Sequence, residues 1–545
     1  MPTLKLIPKS CSDNFYSLGD EAPKTMAALQ NLVPAPDTAD QWIPRPAATL
    51  FSGSAPFTPG FVSCQIIVGT RLYGMVSSAL NAGKDQPFCY DLLGAAFVTI
   101  TGITGANTPT SPATTGSWQP PHMELIGTKI IVTHPGFDGV GSNFFGVINT
   151  TNPVALTWTS ENTTGLALPI KPVWVSQFFQ RAYYFCNTSP SDANPAVIAS
   201  NVLDPTVVTA APDTPVLQFG DNIPLLCGGT LALDNQLGGQ IQALIVFKAN
   251  ASNMFQITGD FAATSTNGIP FIQMNALNVA TGTLAPNSIT NTPFGMLFVS
   301  PDGLRIIDFQ AHVSEPIGAN GQGISIPFIS AVTPSRIAAA CNATTVRIGT
   351  QNGSLSGTPY QEWDFDLVRK TWFGPHTFPI SLISTYGQSY VISPVGIKGL
   401  WSSDIRPNSS STYTENGASY TCIYQSALFP ERNDMEELST VRSVFYTATG
   451  PGTTVYNVSA LDEGSNVITY TSVSFTSSIT LWGSFAWGVG VWLGTNQPMS
   501  AAQVPWTEPV VFDRMAVQIS FTAASGARLG NFLIDVEPTN YTVTS

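Results

Sequence analysis

Short apolar runs separated by turn-forming residues recur along the chain, and the clearest example is PFGMLFVSPDGLRIIDF at 293–309. Its two apolar runs flank Ser300-Pro301-Asp302-Gly303. Proline presets φ for a turn, and Asp-Gly accepts the positive φ of a tight reversal. The runs are too short for helices and are rich in β-favouring residues. The pattern predicts a β-hairpin whose Phe298 and Ile306 faces belong to the core.

Looser copies of half of this hairpin recur at steps of roughly 45–60 residues, close to the repeat of propeller blades. The first two copies share the order Gly-Thr-basic-apolar. The copies lie at 65–76, 124–133, 177–186, 241–248, 294–299, 343–349 and 388–393. A small sheet cannot bury both faces alone, whereas a closed ring of sheets can. The repeat predicts an all-β fold with a β-propeller of six or seven blades over 51–411. A large β-sandwich or a set of separate β-domains is the alternative.

The two ends of the chain differ from this repeat. Residues 1–50 are rich in proline and predict an extended N-terminal arm on the body or on a neighbour, with a helical turn or two at 25–32. A serine-rich break at 408–412 separates the repeat from the strand-like segments of 412–545, which predict a C-terminal β-sandwich. The acidic cluster at 431–437 is interpreted as a solvated loop or short helix, or alternatively as an intersubunit contact.

Composition agrees with a turn-rich β protein: 10% of the 545 residues are charged, with 46 Gly and 42 Pro. The net charge of −13 excludes a basic footprint and hence stable sequence-specific nucleic-acid binding, although transient passage of DNA needs little adhesion. The seven scattered cysteines predict buried free thiols. The first ten residues lack a signal peptide's apolar region, and 481–493 is too short for a membrane span, so a soluble, non-secreted chain is expected.

No residue pattern predicts catalysis, a cofactor or a metal site. His122, His134, His312 and His376 are far apart in the sequence, without the spacing of metal ligands. The chain also contains no nucleophile elbow, zinc-protease motif or phosphate-binding loop. The sequence therefore predicts a protein that is not an enzyme.

Two further features each allow a functional and a structural interpretation. Asp364 and Asp366 alternate onto one strand face and could form the carboxylate pair of a hydrolase, but a structural role at a capped turn is favoured. The tryptophans of 481–494 are interpreted as buried strands, with an exposed tip as the alternative.

Several phrases, taken in order, resemble one protein family. They are Gln30-Asn-Leu-Val-Pro34, Trp42-Ile-Pro-Arg-Pro46, and the stretches 243–259, 293–309, 361–372 and 514–537. Together they resemble the tail nozzle proteins of short-tailed bacteriophages, also called tail tubular or packaged-DNA stabilisation proteins. The stretches around 80–120 and 260–290 match poorly, which leaves the number of blades open.

The resemblance implies a structural virion protein. Such a nozzle would assemble in the host cytoplasm as a homohexamer below the portal and adaptor proteins, retain the packaged genome, and anchor tail fibres or spikes. The ring's lumen, acidic or neutral overall, would pass double-stranded DNA. The alternative function is a carbohydrate-binding or carbohydrate-cleaving β-propeller, such as a phage depolymerase or a lectin-like module, because aromatic and neutral polar surfaces also suit sugars.

Overall fold

A computed structural model describes the chain between residues 3 and 538, with gaps. The residues left out are 1–2, 7–9, 12–24, 36–40, 53–61, 78–82, 112–118, 163–169, 188–193, 209–215, 235–238, 250, 252, 260–271, 278–280, 318–323, 325, 330, 332, 352–359, 388, 395–399, 405–410, 416, 429–438, 451–452, 463, 477–499, 513–514 and 539–545. The predictions for 431–437, for the tryptophans of 481–494 and for most of the break at 408–412 fall outside the described residues.

The described residues have a β-propeller-like all-β fold. Six strands come from the beginning of the chain: β1 Thr3–Leu6, β2 Ser10–Cys11, β3 Thr25–Gln30, β4 Leu32–Pro34, β5 Trp42–Pro44 and β6 Thr49–Ser52. Short helical elements in the described part are α1 Ile326–Ile329 and two 3₁₀ turns, Pro286–Ser288 and Pro334–Arg336. None of the described helices has the length and apolar character needed to span a membrane.

The first four of seven consecutive sheets follow the arm. Sheet 1 contains β7 Val62–Val68, β8 Arg71–Ser77, β9 Asp85–Asp91 and β10 Ala96–Val98. Sheet 2 contains β11 Ile100–Thr101, β12 His122–Ile126, β13 Lys129–Thr133, β14 Phe145–Asn149 and β15 Leu156–Glu161. Sheet 3 contains β16 Pro172–Phe178, β17 Arg181–Cys186, β18 Ala196–Ala199 and β19 Val216–Gln218. Sheet 4 contains β20 Leu225–Asp234, β21 Gln240–Lys248, β22 Met254–Thr258 and β23 Gln273–Ala276.

Three more sheets complete the series. Sheet 5 contains β24 Thr290–Thr292, β25 Gly295–Ser300 and β26 Gly303–Ile307. Sheet 6 contains β27 Ala338–Asn342, β28 Thr345–Gln351, β29 Tyr360–Asp366 and β30 Thr371–His376. Sheet 7 contains β31 Ile380–Tyr386, β32 Ser389–Pro394 and β33 Leu400–Asp404, and the arm strand β6 pairs with β33 at its outer edge.

The seven sheets contact one another in sequence order, and the series closes on itself. Every pair of successive sheets has a contact that involves one of the edge strands β7, β12, β16, β20, β24, β27 and β31, and β31 of sheet 7 contacts β7 of sheet 1. Each of the seven sequence copies lies in a different sheet. Closure through a strand from the beginning of the chain joins the two ends of the series by backbone hydrogen bonds.

The hairpin predicted at 293–309 is present as β25 and β26. Its side chains alternate between two buried faces. Phe298 is fully buried and packs on Phe247 with ring centroids 5.2 Å apart, whereas half-buried Ile306 packs on the opposite face. Sheets that pack on both sides bury both faces of a strand, which explains the near-continuous apolar runs.

The repeated Gly-Thr-basic phrase forms the turn after an edge strand. Gly69 and Gly127 both have φ of +60°, which glycine adopts without strain. The basic residue that follows then reaches the next sheet: the Lys129 ammonium lies 3.0 Å from the Asp204 carboxylate, and Arg71 donates a hydrogen bond to the carbonyl of Pro153. The phrase therefore couples neighbouring sheets.

Two further sheets combine both ends of the chain. The remaining strands are β34 Thr414–Glu415, β35 Ala418–Ser419, β36 Thr421–Ser426, β37 Ser439–Thr449, β38 Thr453–Leu461, β39 Val467–Thr476, β40 Ser500–Phe512, β41 Ala516–Thr522 and β42 Arg528–Pro538. One sheet has the order β4-β5-β42-β37-β40, with β1 also on β42, and the other has the order β2-β3-β36-β41-β38-β39. Their inner faces meet where Tyr446 packs on Tyr456.

The prediction of a helical turn at 25–32 is wrong, because β3 and β4 occupy this stretch. Asn31, between them, has φ of +57°, a conformation that asparagine tolerates. The partner of β3 is β36, almost 400 residues later in the chain, so local propensity could not indicate the pairing. Buried residues of β3, β4 and β5 pack on the body, and the core that they join continues into sheets 5 and 6.

Candidate functional site: a pocket where seven sheets meet

A cavity of about 310 Å³ lies where the edge strands of all seven sheets converge. Residues of β7, β12, β16, β20, β24, β27 and β31 line it, together with the 3₁₀ turn Pro286–Ser288. We call it the hub pocket. Its volume is within the range of small-molecule sites, and its position resembles the mouth of a closed β structure, where such sites commonly lie.

An aromatic pair beside a carboxylate is the most distinctive feature of the hub pocket. The imidazole of His122, on β12, stacks on the indole of Trp174, on β16, with ring centroids 3.5 Å apart and planes 14° apart. Trp174 Nε1 donates to the carbonyl of Gly228 at 2.8 Å, which fixes the indole. Glu124, two residues after His122, shares its face of β12. Its carboxylate lies 3.6 Å from His122 Nε2, and both side chains are partly exposed.

Neutral polar side chains make up much of the remaining lining. Gln65 Nε2 donates to Ser384 Oγ at 3.0 Å, and Asn291 Nδ2 donates to the Thr230 carbonyl at 3.2 Å. The amide nitrogen of Asn287 is buried and has no hydrogen-bond partner among the described residues. Amides and hydroxyls both donate and accept, so the pocket suits a ligand with many hydroxyl groups.

Glycine lets the strands approach closely here. A Cβ at Gly228 would lie 2.4 Å from the ring of Phe185 and 2.5 Å from the carbonyl oxygen of Ile245. Gly228 therefore keeps β20 close to sheet 3, where its carbonyl accepts hydrogen bonds from both Trp174 and Ser176.

The pocket's acid–base chemistry rests on Glu124 and His122, the two ionisable side chains among its described lining apart from Cys64. A hydrolase of the two-carboxylate type needs a second carboxyl about 5–10 Å away. Glu124 is the one carboxylate in this lining, so His122 is the available partner for proton transfer. The sequence analysis missed this pair; the alternation His-Met-Glu on a repeated strand was the available signal.

Asp364 and Asp366, the predicted carboxylate candidates, lie elsewhere and do not act together. Asp366 caps a turn, because its Oδ1 accepts from the amides of Val368 and Arg369 at 3.0 and 2.9 Å. Asp364 is buried, with Oδ2 3.3 Å from His376 Nε2 and Oδ1 3.7 Å from Arg347 Nε. Asp366 is thus the residue that caps a turn, the role that the structural interpretation of this pair expected. Asp364 instead belongs to a buried charge network.

That network connects sheet 6, the arm and the C-terminal segment. It comprises Asn31, Arg45, Arg347, Glu362, Asp364, His376 and Glu415, and we call it the buried joint. Arg45 pairs with Glu415 at 2.6 Å, and Arg347 pairs with Glu362. The backbone amide of Asn31 donates to His376 Nδ1 at 3.1 Å, so the neutral ring carries its proton on Nε2, which lies 3.3 Å from Asp364 Oδ2.

Burial raises the pKa values of carboxyl groups in the buried joint and lowers the pKa of its histidine. Desolvation raises the pKa of the Asp364 carboxyl to about 6 and also raises the pKa of Glu362. Desolvation lowers the pKa of the His376 imidazole to about 3. Between about pH 4 and 6 the folded chain therefore holds a proton on Asp364, whereas the unfolded chain holds one on His376. The two contributions to the pH dependence of stability oppose each other in this window.

We predict that His376→Gln exposes the effect of Asp364. Because the pKa of His376 is lowered in the folded chain, the wild type loses stability as the pH falls below the histidine pKa of the unfolded chain. A glutamine at this position causes no such loss. As the pH falls from 7 to 4, the free energy of unfolding of the variant should rise by about 3 kcal/mol relative to that of the wild type. Denaturant unfolding at both pH values measures this difference. Asp364→Asn should shift the difference in the opposite direction, and parallel pH profiles for all three proteins would contradict the protonation scheme.

The other histidines have separate partners. His134 lies 3.1 Å from the buried carboxylate of Asp85, which also accepts from Ser63 Oγ at 2.7 Å. His312 is exposed, 3.6 Å from the carboxylate of Asp308.

Within the described ranges, no three His, Cys, Asp or Glu residues are grouped as a metal site would require. Five of the six described free cysteines are buried and one is partly buried.

Comparison with known proteins identifies no family: no family model matches the chain, and no curated protein matches it. Solved structures do show likenesses. A computationally designed Ika8 protein is 8% identical with a TM-score of 0.35, covering 66% of this chain and 100% of its own. A fructofuranosidase from Schwanniomyces occidentalis, complexed with fructose, is 9% identical with a TM-score of 0.27 and coverages of 74% and 92%. An exo-inulinase from Aspergillus awamori is 10% identical with a TM-score of 0.25 and coverages of 91% and 99%.

The prediction that the chain is not an enzyme is corrected by this comparison, because several of the similar structures are glycoside hydrolases. The prediction relied on the absence of linear motifs, whereas the acidic residues of a propeller site can come from separate strands and leave no motif. The TM-scores are too low to assign any residue role, so the functional argument rests on the hub pocket itself.

Proposed function

We propose that the chain is a carbohydrate-active β-propeller that binds a saccharide in the hub pocket. The seven sheets would be its blades, and the arm and C-terminal strands would form an attached β-sandwich. The observation that carries the proposal is the His122–Trp174 stack beside Glu124, in a cavity of about 310 Å³ whose other polar lining is neutral.

A sugar ring has two kinds of surface, an apolar C–H face and a polar hydroxyl edge. Its C–H face packs well on an aromatic ring, and the partly exposed His122 offers such a ring, supported from behind by Trp174. Its hydroxyl edge needs donors and acceptors, which amides such as Asn291 and the carboxylate of Glu124 supply. Glu124, with His122, is also the group proposed to transfer protons if the bound saccharide is cleaved.

We predict that Glu124→Gln weakens saccharide binding about tenfold or more, because a charge-assisted hydrogen bond becomes a neutral one. Calorimetric titration with a panel of oligosaccharides measures the affinity, and chromatography of the same mixtures detects cleavage products. Glu161→Gln, the same substitution on β15 outside the pocket, is the matched control and should bind like the wild type. Equal affinities for all three proteins, or no binding of any saccharide, would contradict the proposal.

The tail nozzle remains a second proposal, supported by the position of the residues that carry the resemblance. Asn31 and Arg45 belong to its two opening phrases, and both lie in the buried joint, where Arg45 Nε donates to Asn31 Oδ1 at 3.1 Å. If this chain and the tail nozzle proteins share these two sequence phrases, they would also share this way of attaching the arm to the body. The proposal includes six copies around a channel and contacts with portal, adaptor and fibre proteins.

Electron microscopy of the purified chain should then show a ring with an opening of roughly 20 Å or more, wide enough for duplex DNA. Particles that contain a single copy would exclude the tail nozzle proposal.

A further inference from the structure

The charge balance of the hub pocket is one-sided. Its described lining contains the Glu124 carboxylate but no lysine or arginine. His122 Nε2, at 3.6 Å, is too distant for a hydrogen bond to that carboxylate. Within the described lining, the carboxylate therefore has no hydrogen bond from a cationic side chain.

Resting on the proposed function, we propose that the ligand is a cationic amino sugar whose protonated amine binds Glu124. A saccharide that enters the pocket displaces water from the carboxylate. A neutral sugar returns only hydroxyl hydrogen bonds, so part of the desolvation cost remains. An ammonium group returns a charge-assisted hydrogen bond and removes the unpaired charge.

The surroundings of the carboxylate favour the same ligand. Trp174 also lines the pocket, and indole rings attract nearby cations. The net charge of −13 for the whole chain also raises the local concentration of cationic ligands. A sugar acid would bring a second negative charge to Glu124, and the described lining contains neither lysine nor arginine to compensate it, so a sugar acid should be rejected.

The test is calorimetric titration of the full chain with four hexasaccharides at about pH 6, where primary amines are protonated, and in about 0.15 M salt. The probes are β-1,4-linked glucosamine, β-1,4-linked N-acetylglucosamine, cellohexaose and oligogalacturonate. The first two differ only in acetylation of the amine. We expect the glucosamine oligomer to bind at least about tenfold more tightly than its acetylated form, and Glu124→Gln to abolish this preference. Glu161→Gln should preserve it.

Each other outcome has a definite meaning. Equal binding of the two glucosamine-type oligomers, or a preference that survives in Glu124→Gln, overturns the amine assignment while the hub pocket remains a saccharide site. Tightest binding of oligogalacturonate or of the neutral cellohexaose overturns the charge argument. Failure of all four oligosaccharides to bind overturns the proposed function together with this inference.

Discussion

Replacing Arg347 by glutamine is expected to lower the free energy of unfolding by about 3–5 kcal/mol. Its guanidinium is buried, pairs with Glu362, and lies with its central carbon 4.8 Å from the centre of the Tyr390 ring. Removing it leaves Glu362 and Asp364 buried without the cation that both face. The cost is large because two desolvated carboxylates then lie close together, and they must bind protons or admit water.

Arg369→Gln is the matched control for this prediction. Arg369 follows β29, the strand of Glu362 and Asp364, but it is 44% exposed and lies 3.9 Å from Asp366, so its loss should change stability by no more than about 0.5 kcal/mol. Adding Glu362→Gln to Arg347→Gln should recover part of the lost stability, since one unpaired charge is removed. Denaturant unfolding measures all three variants. A similar small effect for Arg347→Gln and Arg369→Gln would show that the joint does not depend on its buried charge.

Phe298→Ala is expected to cost about 3–5 kcal/mol, because it removes a fully buried ring and leaves a cavity between sheets 4 and 5. Phe298 lies on β25 and packs on Phe247 of β21. This contact crosses from one sheet to the next, so the substitution tests packing between sheets as well as the hairpin.

Phe294→Ala is the control, because Phe294 lies at the beginning of the same hairpin with 49% of its surface exposed. Its loss should stay within about 0.5 kcal/mol, the usual range for surface substitutions. Thermal or denaturant unfolding compares the two. If Phe298→Ala unfolds like the wild type, the assignment of its face to the core is wrong.

The repeated sheets could be predicted from sequence because their signal is local. Alternating apolar residues, short runs and Gly-Thr or Pro-Asp-Gly turns lie within ten or so residues of each other, and each of the seven copies corresponds to one sheet. The arm could not be predicted in the same way. The strand at Thr25–Gln30 pairs along one edge with Thr421–Ser426, and no local pattern indicates a partner so far away.

The candidate site was missed for the same physical reason. His122 and Glu124 share β12, but Trp174 lies on β16 of the next sheet, so the three side chains meet only when sheets 2 and 3 pack together. The histidines have no metal-ligand spacing among themselves, whereas the informative relation is between a histidine, a carboxylate two residues later and a tryptophan on the next sheet. Asp364 was noticed as half of a carboxylate pair, but its partners Arg347 and His376 lie on neighbouring strands.

The most direct measurement is the structure of the chain determined by crystallography after soaking with the glucosamine oligomer. The account predicts a sugar ring in the hub pocket, stacked on His122, with a hydrogen bond to the carboxylate of Glu124. A saccharide bound elsewhere on the chain, with the hub pocket filled by water alone, would contradict it.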